Sequence, residues 1–254
     1  MTPRRMLLLL AGLGLPHLAR SQEQPPLRVL GTGAVAAATR DIAAAFTQRT
    51  GRAVAIETAN AGLAARRLRE GEAADLVLNT EIQITRLAGT GLLHGDTRRE
   101  VGRMLIGVAV RSGAPLPDIG GEGALRRALL AAPSIAHSDP ATGATAGTHV
   151  ARMVERLGLV EALRERTLVF PGGGAAVQAV VEGRAALALT QVSEIIAVPG
   201  AVLAGLLPES LQLVTPYHGA VTTRAADREG ALALLAALTD EAGRARFRAA
   251  GFAV

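Results

Sequence analysis

Apolar residues along this chain fall into two rhythms. Short apolar runs bounded by Gly, Pro, Asn or Asp read as buried strands, and longer stretches with apolar residues at three- and four-residue intervals read as helices. Residues 27–30 are the first such strand. Gly31-Thr32-Gly33 turns it into a helix whose buried stripe is Val35, Ala38, Ile42 and Phe46, and Gly51 stops that helix. Residues 53–56 are the next strand, Asn60-Ala61-Gly62 the next loop, and residues 63–70 a helix carrying Arg66, Arg67 and Arg69 on a solvated face. After Gly71, residues 75–78 run as a strand into Asn79-Thr80-Glu81 and a third helix. Three strand-helix units in succession predict a parallel sheet.

The second half repeats the plan. Residues 104–110 predict one long strand, 113–121 a Pro- and Gly-rich loop, 124–130 a helix and 134–137 a short buried strand. The stretch 138–147 then leads into a helix with Ala146, Val150, Met153, Val154 and Leu157 on one face, closed by Gly158. A strand at 167–170, a loop at 171–174, a helix at 175–182 and a strand at 185–190 deliver Gln191-Val192-Ser193-Glu194. Residues 211–221 form an extended run containing Tyr217 and His218, and 225–238 and 240–250 are helices with an apolar stripe but no strands of their own. They are expected to pack back on the first half, which makes 104–111 and 211–221 two crossings between two domains. The expected division is 22–104 with 219–254 in lobe I and 105–218 in lobe II.

The loops share a chemistry. The stretch 138–147 offers small residues, hydroxyls on Thr142 and Thr145, and a fresh helix N-terminus whose unpaired N–H groups and dipole favour an anion. A plain Asp-Pro turn with Thr145 as helix cap accounts for the same residues. Repetition favours the anion, because the loops at 31–33, 60–62 and 171–174 are of the same kind. Gly31-x-Gly33-x-x-Ala36, with Glu57 closing the next strand, has the spacing of a dinucleotide fingerprint, but in a chain this rich in Ala and Gly such spacings arise by chance.

Composition narrows the choice. With 254 residues and 49% hydrophobic content, the chain can bury two small cores that share a cleft. There is no Cys, which removes thiolate chemistry and Cys-ligated zinc, and no Lys, which removes the Walker phosphate loop. His94, His137, His149 and His218 show no metal-ligand spacing, so neither metal nor cofactor is expected. Arg4 and Arg5 precede an apolar run at 6–15, and Ala19-Arg20-Ser21 places small residues where a signal peptidase reads, so residues 1–21 are expected to be a cleaved secretory signal. The run is too short to span a membrane, which needs about 20 apolar residues. Losing three Arg and no acid leaves 24 basic and 22 acidic residues, a net charge of +2, so most of the basic excess goes with the signal and nucleic acid is not an expected partner.

Residues 27–46, Gly71-Glu72-Ala73-Ala74-Asp75-Leu76-Val77, Asp139-Pro140 with the following Gly143, Gly183-Arg184-Ala185-Ala186, and the closing Phe247-x-x-x-Gly251-Phe252 resemble the extracellular solute-binding proteins of the molybdate-binding type. The resemblance implies a type II periplasmic-binding fold. In that α/β fold each of two lobes is a mostly parallel sheet flanked by helices, two crossovers join them, and a small anion is clamped between them by hydroxyls and helix N-terminal amides. It also implies a periplasmic monomer that delivers its ligand to the membrane component of an ABC importer.

By that resemblance the ligand-binding positions are Thr32, Gly33, Ala34, Asn60, Ala61, Gly62, Thr142, Thr145, Gly173, Gly174, Gln191, Ser193 and Tyr217. Where molybdate binders carry serines in the first two loops, this chain has Gly33-Ala34 and Ala61-Gly62, leaving Thr32 and Asn60 to supply side-chain contacts. Each lost charge-assisted hydrogen bond costs about 1.5–3 kcal/mol, so molybdate is expected to bind poorly. Gln191-Val192-Ser193-Glu194 resembles a divergent branch of the family that also contains an aconitate isomerase. A carboxylate would suit Arg66, Thr142, Thr145, Gln191 and Ser193, with the backbone amides of 172–175 as a nest. Isomerase chemistry would need a base beside the carbon acid, and His137, Glu194 and His218 are its candidates.

Overall fold

The computed structural model describes residues 24–254; the expected signal segment at 1–21 lies outside them. The chain first lays down β1 (Leu27–Thr32), α1 (Gly33–Thr50), β2 (Val54–Ala59), α2 (Ala61–Arg69), β3 (Leu76–Thr80), α3 (Glu81–Gly89) and β4 (Arg99–Met104). It then builds β5 (Ile106–Arg111), α4 (Glu122–Ala131), β6 (Ile135–Ser138), α5 (Thr145–Arg156), α6 (Val160–Leu163), β7 (Thr167–Phe170), α7 (Gly173–Val181), β8 (Leu187–Gln191), α8 (Val192–Ile196) and β9 (Ala201–Leu206). A returning strand, β10 (Thr215–Val221), and the helices α9 (Arg228–Thr239) and α10 (Glu241–Ala249) complete it.

These strands form two five-stranded sheets, ordered β2-β1-β3-β10-β4 and β7-β6-β8-β5-β9. Matching β6, β7 and β8 to β1, β2 and β3 makes the two orders identical, so the repetition visible in the sequence is a repetition of topology. β1, β2 and β3 run parallel, as do β6, β7 and β8, while β10 and β5 are antiparallel to both neighbours. Each sheet therefore has four strands in one direction and one against them, and the reversed strand is the one that follows a crossing. β3 and β8 are buried along their whole length, as strands covered on both faces must be, which is why they read as continuous apolar runs.

Side chains explain where the layers sit. On one face of the first sheet, the stripe of α1 meets α9 and α10 through Phe46, Leu234, Leu238 and Phe247; on the other, Ala64 and Leu68 of α2 and Ile84 and Leu87 of α3 pack over Leu30 and Val77. The second lobe is built likewise, with Val150 and Met153 of α5 on one side and Val177 and Val180 of α7 on the other. The terminal helices thus cover the first sheet, as their apolar stripe implied.

Three local expectations are corrected. The apolar run at 104–110 is not one strand: Met104 pairs with Thr215 in the first sheet and Ile106 with Gln191 in the second, so the chain changes sheets at Leu105. The run at 211–221 is extended only from Thr215, and Thr215 to His218, assigned above to lobe II, pair within the first sheet. β4 and β9 lie at sheet edges and are strands the sequence reading did not include: β4 is broken by charged residues, whereas β9 is an apolar run following Pro199-Gly200. Gln212 fastens the two crossings together, accepting from Ile106 N and donating to Ile106 O, both at 2.9 Å.

Candidate functional site

Four strand-to-helix turns face one another where the lobes meet. From the first lobe come the N-termini of α1, after Thr32, and α2, after Asn60; from the second come those of α5, after Ala144, and α7, after Gly172. None of the four has a side-chain cap, whereas α9 and α10 are capped by Asp227 and Asp240, which accept from Gly230 N at 2.8 Å and Gly243 N at 2.7 Å. Uncapped N-termini leave backbone donors free and present the positive end of the helix dipole.

They converge on a narrow cavity, lined by Thr32, Gly33, Ala34, Ala59, Asn60, Ala61, Ser138, Ala144, Thr145, Ala146, Gly173, Gln191, Glu194 and Tyr217. The hydroxyl of Thr32 is buried there without a partner. Ser138 Oγ accepts from Gly147 N at 3.1 Å, which leaves its own proton to donate. Only glycine fits at 147, because a Cβ would come within 1.8 Å of the Ser138 carbonyl oxygen. Tyr217 OH donates to Gln191 Oε1 at 2.7 Å, joining β10 of one sheet to β8 of the other. No Arg or His lines the cavity among the described residues, and its hydrogen-bond donors are amides and hydroxyls.

The cavity's one carboxylate is Glu194. Thr190 Oγ1 donates to Oε2 at 2.6 Å. A Cβ at Gly33 would lie 2.5 Å from Oε1 and one at Gly173 2.1 Å from Oε2, so the carboxylate fills the space that side chains at the starts of α1 and α7 would occupy. The nest expected for a ligand at the start of α7 therefore already holds a carboxylate of the protein. Burial pushes the Glu194 carboxyl above its ordinary range, outweighing the Thr190 hydroxyl and the amides of Gly174, Gln191 and Gly173. Tyr217 is raised as well, by burial first and then by the Glu194 charge.

Several candidates lie elsewhere. Thr142 and Gly62 form a seam between the lobes beside the cavity: Asn60 Nδ2 donates to Thr142 Oγ1 at 2.7 Å and to Pro171 O at 2.5 Å, and Gly62 N donates to Gly143 O at 3.2 Å. Gly174 faces an outer groove with Arg40, and the Ser193 hydroxyl is buried without a partner outside the cavity lining. His137 is held with Nδ1 against Ser138 O at 2.9 Å, away from the cavity. His218 is also outside it: Nε2 is 3.5 Å from an Arg98 nitrogen, and burial, then the Arg98 charge, lower its pKa. Arg66 is exposed beside Glu70, and Arg67 pairs with Glu57 and Glu72, which gives Glu57 a partner other than a ribose. Ser138 lines the cavity with a hydroxyl that the sequence reading did not single out. The signal was the repeat itself, since Ser138 ends β6 as Thr32 ends β1.

Residues 27–253 match the family model of bacterial extracellular solute-binding proteins. An aconitate isomerase from a Pseudomonas species is 32% identical over 243 residues, spanning 92% of this chain and 91% of that protein. Among solved structures, the periplasmic molybdate-binding protein of Azotobacter vinelandii is similar with a TM-score of 0.75 at 21% identity, over 90% of this chain and 99% of that one. The sulfate-binding protein of Mycobacterium tuberculosis gives 0.69 at 18% identity, over 89% and 86%. Those two structures speak to the two-lobed α/β fold, and the family match runs through both lobes and every loop of the cavity. This chain belongs to the bacterial extracellular solute-binding protein family.

Proposed function

We propose that this protein works in the periplasm, where it clamps a small anion between its lobes and delivers it to the membrane component of an ABC importer. The observation that carries the reading is the convergence of four helix N-termini, two from each lobe, on one small cavity, with those of α1, α2 and α5 uncapped and only that of α7 taken up by Glu194. Thr32 with its unpartnered hydroxyl, Ser138, Thr145, Asn60 and Gln191 would complete the shell, and the crossings at Leu105 and 207–214 would be the hinge. A carboxylate suits this shell better than molybdate, because Gly33, Ala34, Ala61 and Gly62 bring no side-chain donor.

One observation favours a second reading, an isomerase of a tricarboxylic acid on the same clamp. Glu194 puts a carboxyl of raised pKa in the cavity wall, as a general base requires, and the Pseudomonas relative is named for such a reaction. The base would take a proton from the methylene carbon of a bound aconitate and return it to the far end of the allylic unit, so that the double bond moves and no co-reactant is consumed. Calorimetry with molybdate, sulfate, citrate and cis- and trans-aconitate tests the ligand class. We expect a carboxylate to bind and molybdate to bind at least tenfold more weakly; tight molybdate binding with no response to any carboxylate would reverse the assignment. Incubation with each aconitate in deuterated water, followed by NMR, separates the readings. Binding without interconversion or deuterium uptake leaves transport, and interconversion abolished by Glu194→Gln establishes the isomerase.

A further inference from the structure

We propose that Glu194 selects a carboxylic acid as ligand by sharing a single proton with it. The inference rests on the anion-site reading above and concerns which anions that site accepts. Its ground is the position of the Glu194 carboxylate, fitted against Gly33 and Gly173 at the starts of α1 and α7 and held by Thr190. One of the four helix N-termini that face the cavity is thus already occupied by negative charge belonging to the protein.

A second negative charge bound in this narrow cavity, whose wall includes Glu194, meets the first at close range. No cation stands between them. The groups facing Glu194 are the uncharged Gly33 of α1, Gly173 and Gly174 of α7, Thr190 and Gln191 of β8 and Asn60, together with Tyr217 of β10, a weak acid whose own ionisation the carboxylate opposes. Arg40 and Arg67 line the outer groove and not the cavity, and Arg67 is already paired with Glu57 and Glu72. Two like charges so placed cannot both persist, and a bound proton removes one of them. The burial that raises this carboxyl's pKa acts in the same direction.

The identity of the proton's second holder decides the ligand class. A ligand carboxylate is a group of the same kind as Glu194 and basic enough to share a proton with it, as paired aspartates do. Sulfate oxygens are too weakly basic near neutral pH to share it, whereas molybdate, comparable to a carboxylate in basicity, is disfavoured by the absence of serines at Gly33-Ala34 and Ala61-Gly62. The same carboxylate explains Gly33, since a serine there would place its Cβ against Oε1.

Titration calorimetry of trans-aconitate, citrate and sulfate into the mature protein tests this, in buffers of different ionisation heat between pH 6.5 and 9. For wild type, proton uptake per bound carboxylate is expected to rise towards one with pH, with affinity falling in step, and sulfate is expected to bind at least tenfold more weakly. Glu194→Gln, with Glu194→Ala as a second variant should Gln perturb folding, is expected to abolish the uptake, flatten the pH dependence and gain at least tenfold in sulfate affinity. Carboxylate binding with no proton uptake at any pH, or the same uptake in both variants, overturns the inference and leaves the anion site standing. If none of the three anions binds wild type or variant, the anion-site reading falls and this inference with it.

Discussion

Replacing Gly62 with valine is expected to lower affinity for the captured anion by roughly a hundredfold or more while leaving each lobe folded. Gly62 is the second residue of α2 and keeps ordinary helical backbone, so the substitution asks little of its own lobe. What it meets is the other lobe. A Cβ at this position would stand 2.9 Å from both Gly143 Cα and the Thr142 carbonyl oxygen, which are backbone atoms with nowhere to go. The larger side chain holds the lobes apart, breaking the Gly62–Gly143 and Asn60–Thr142 bonds and separating the amides of α1 and α2 from those of α5. Losing two charge-assisted hydrogen bonds to the ligand, at about 1.5–3 kcal/mol each, already amounts to the stated factor. Calorimetric titration of the variant beside wild type measures it, with circular dichroism to show that the folds persist. Unchanged affinity would mean that the seam at Gly62 plays no part in the bound state.

The largest effect on stability is expected from Phe247→Ala, at about 3–5 kcal/mol. The chain has four Phe, one Tyr and no Trp, and three of these five rings form one cluster. Phe247 meets Phe252 edge to face at 5.1 Å, and Phe252 meets Tyr217 in the same way at 5.8 Å. Phe247 is fully buried on α10 and packs within the core shared by α1, α9 and the first sheet, so truncation leaves a cavity among residues that cannot all close on it. The cluster also backs Tyr217, whose hydroxyl holds Gln191 across the lobes, so anion affinity is expected to fall along with stability. Urea unfolding of the two proteins gives the difference directly, and a loss below 1 kcal/mol would show that the last helix is not integral to the first lobe's core.

The parts of this structure that were legible in the sequence are those whose signal is local. β1, β3, β6 and β8 are buried strands and read as apolar runs, and the loops after them read as turns because Gly, Pro and Asn stand there. The break at Leu105 was invisible because hydrophobicity continues across it. Burial is the same on both sides, and only the hydrogen-bond partners change, from β10 to β8. Edge strands such as β4, with charged residues facing solvent, carry too weak an alternation to be seen.

Within the site, the N-terminal amides of α1, α2 and α5 follow from the turns, but the roles of particular side chains depend on distances across lobes. Thr142 and Gly62 were read as ligand contacts and lie in the seam, because the interlobe approach that joins Gly62 to Gly143 leaves no trace in either loop alone. Glu194 was named only as a candidate base. That it sits against Gly33 and Gly173, more than a hundred residues apart from one another in sequence, could be learned only from the fold.

The central claim is that backbone amides from both lobes hold one anion. It is tested most directly by following the amide resonances of Ala34 and Ala61 in the first lobe and Thr145 and Ala146 in the second while the mature protein is titrated with the tightest-binding anion of the calorimetric panel. These positions open α1, α2 and α5 and line the cavity. All four are expected to shift together along a single saturation curve, with the same dissociation constant as calorimetry. Shifts confined to one lobe, or saturation of a site elsewhere while these four amides stay unmoved, would contradict it.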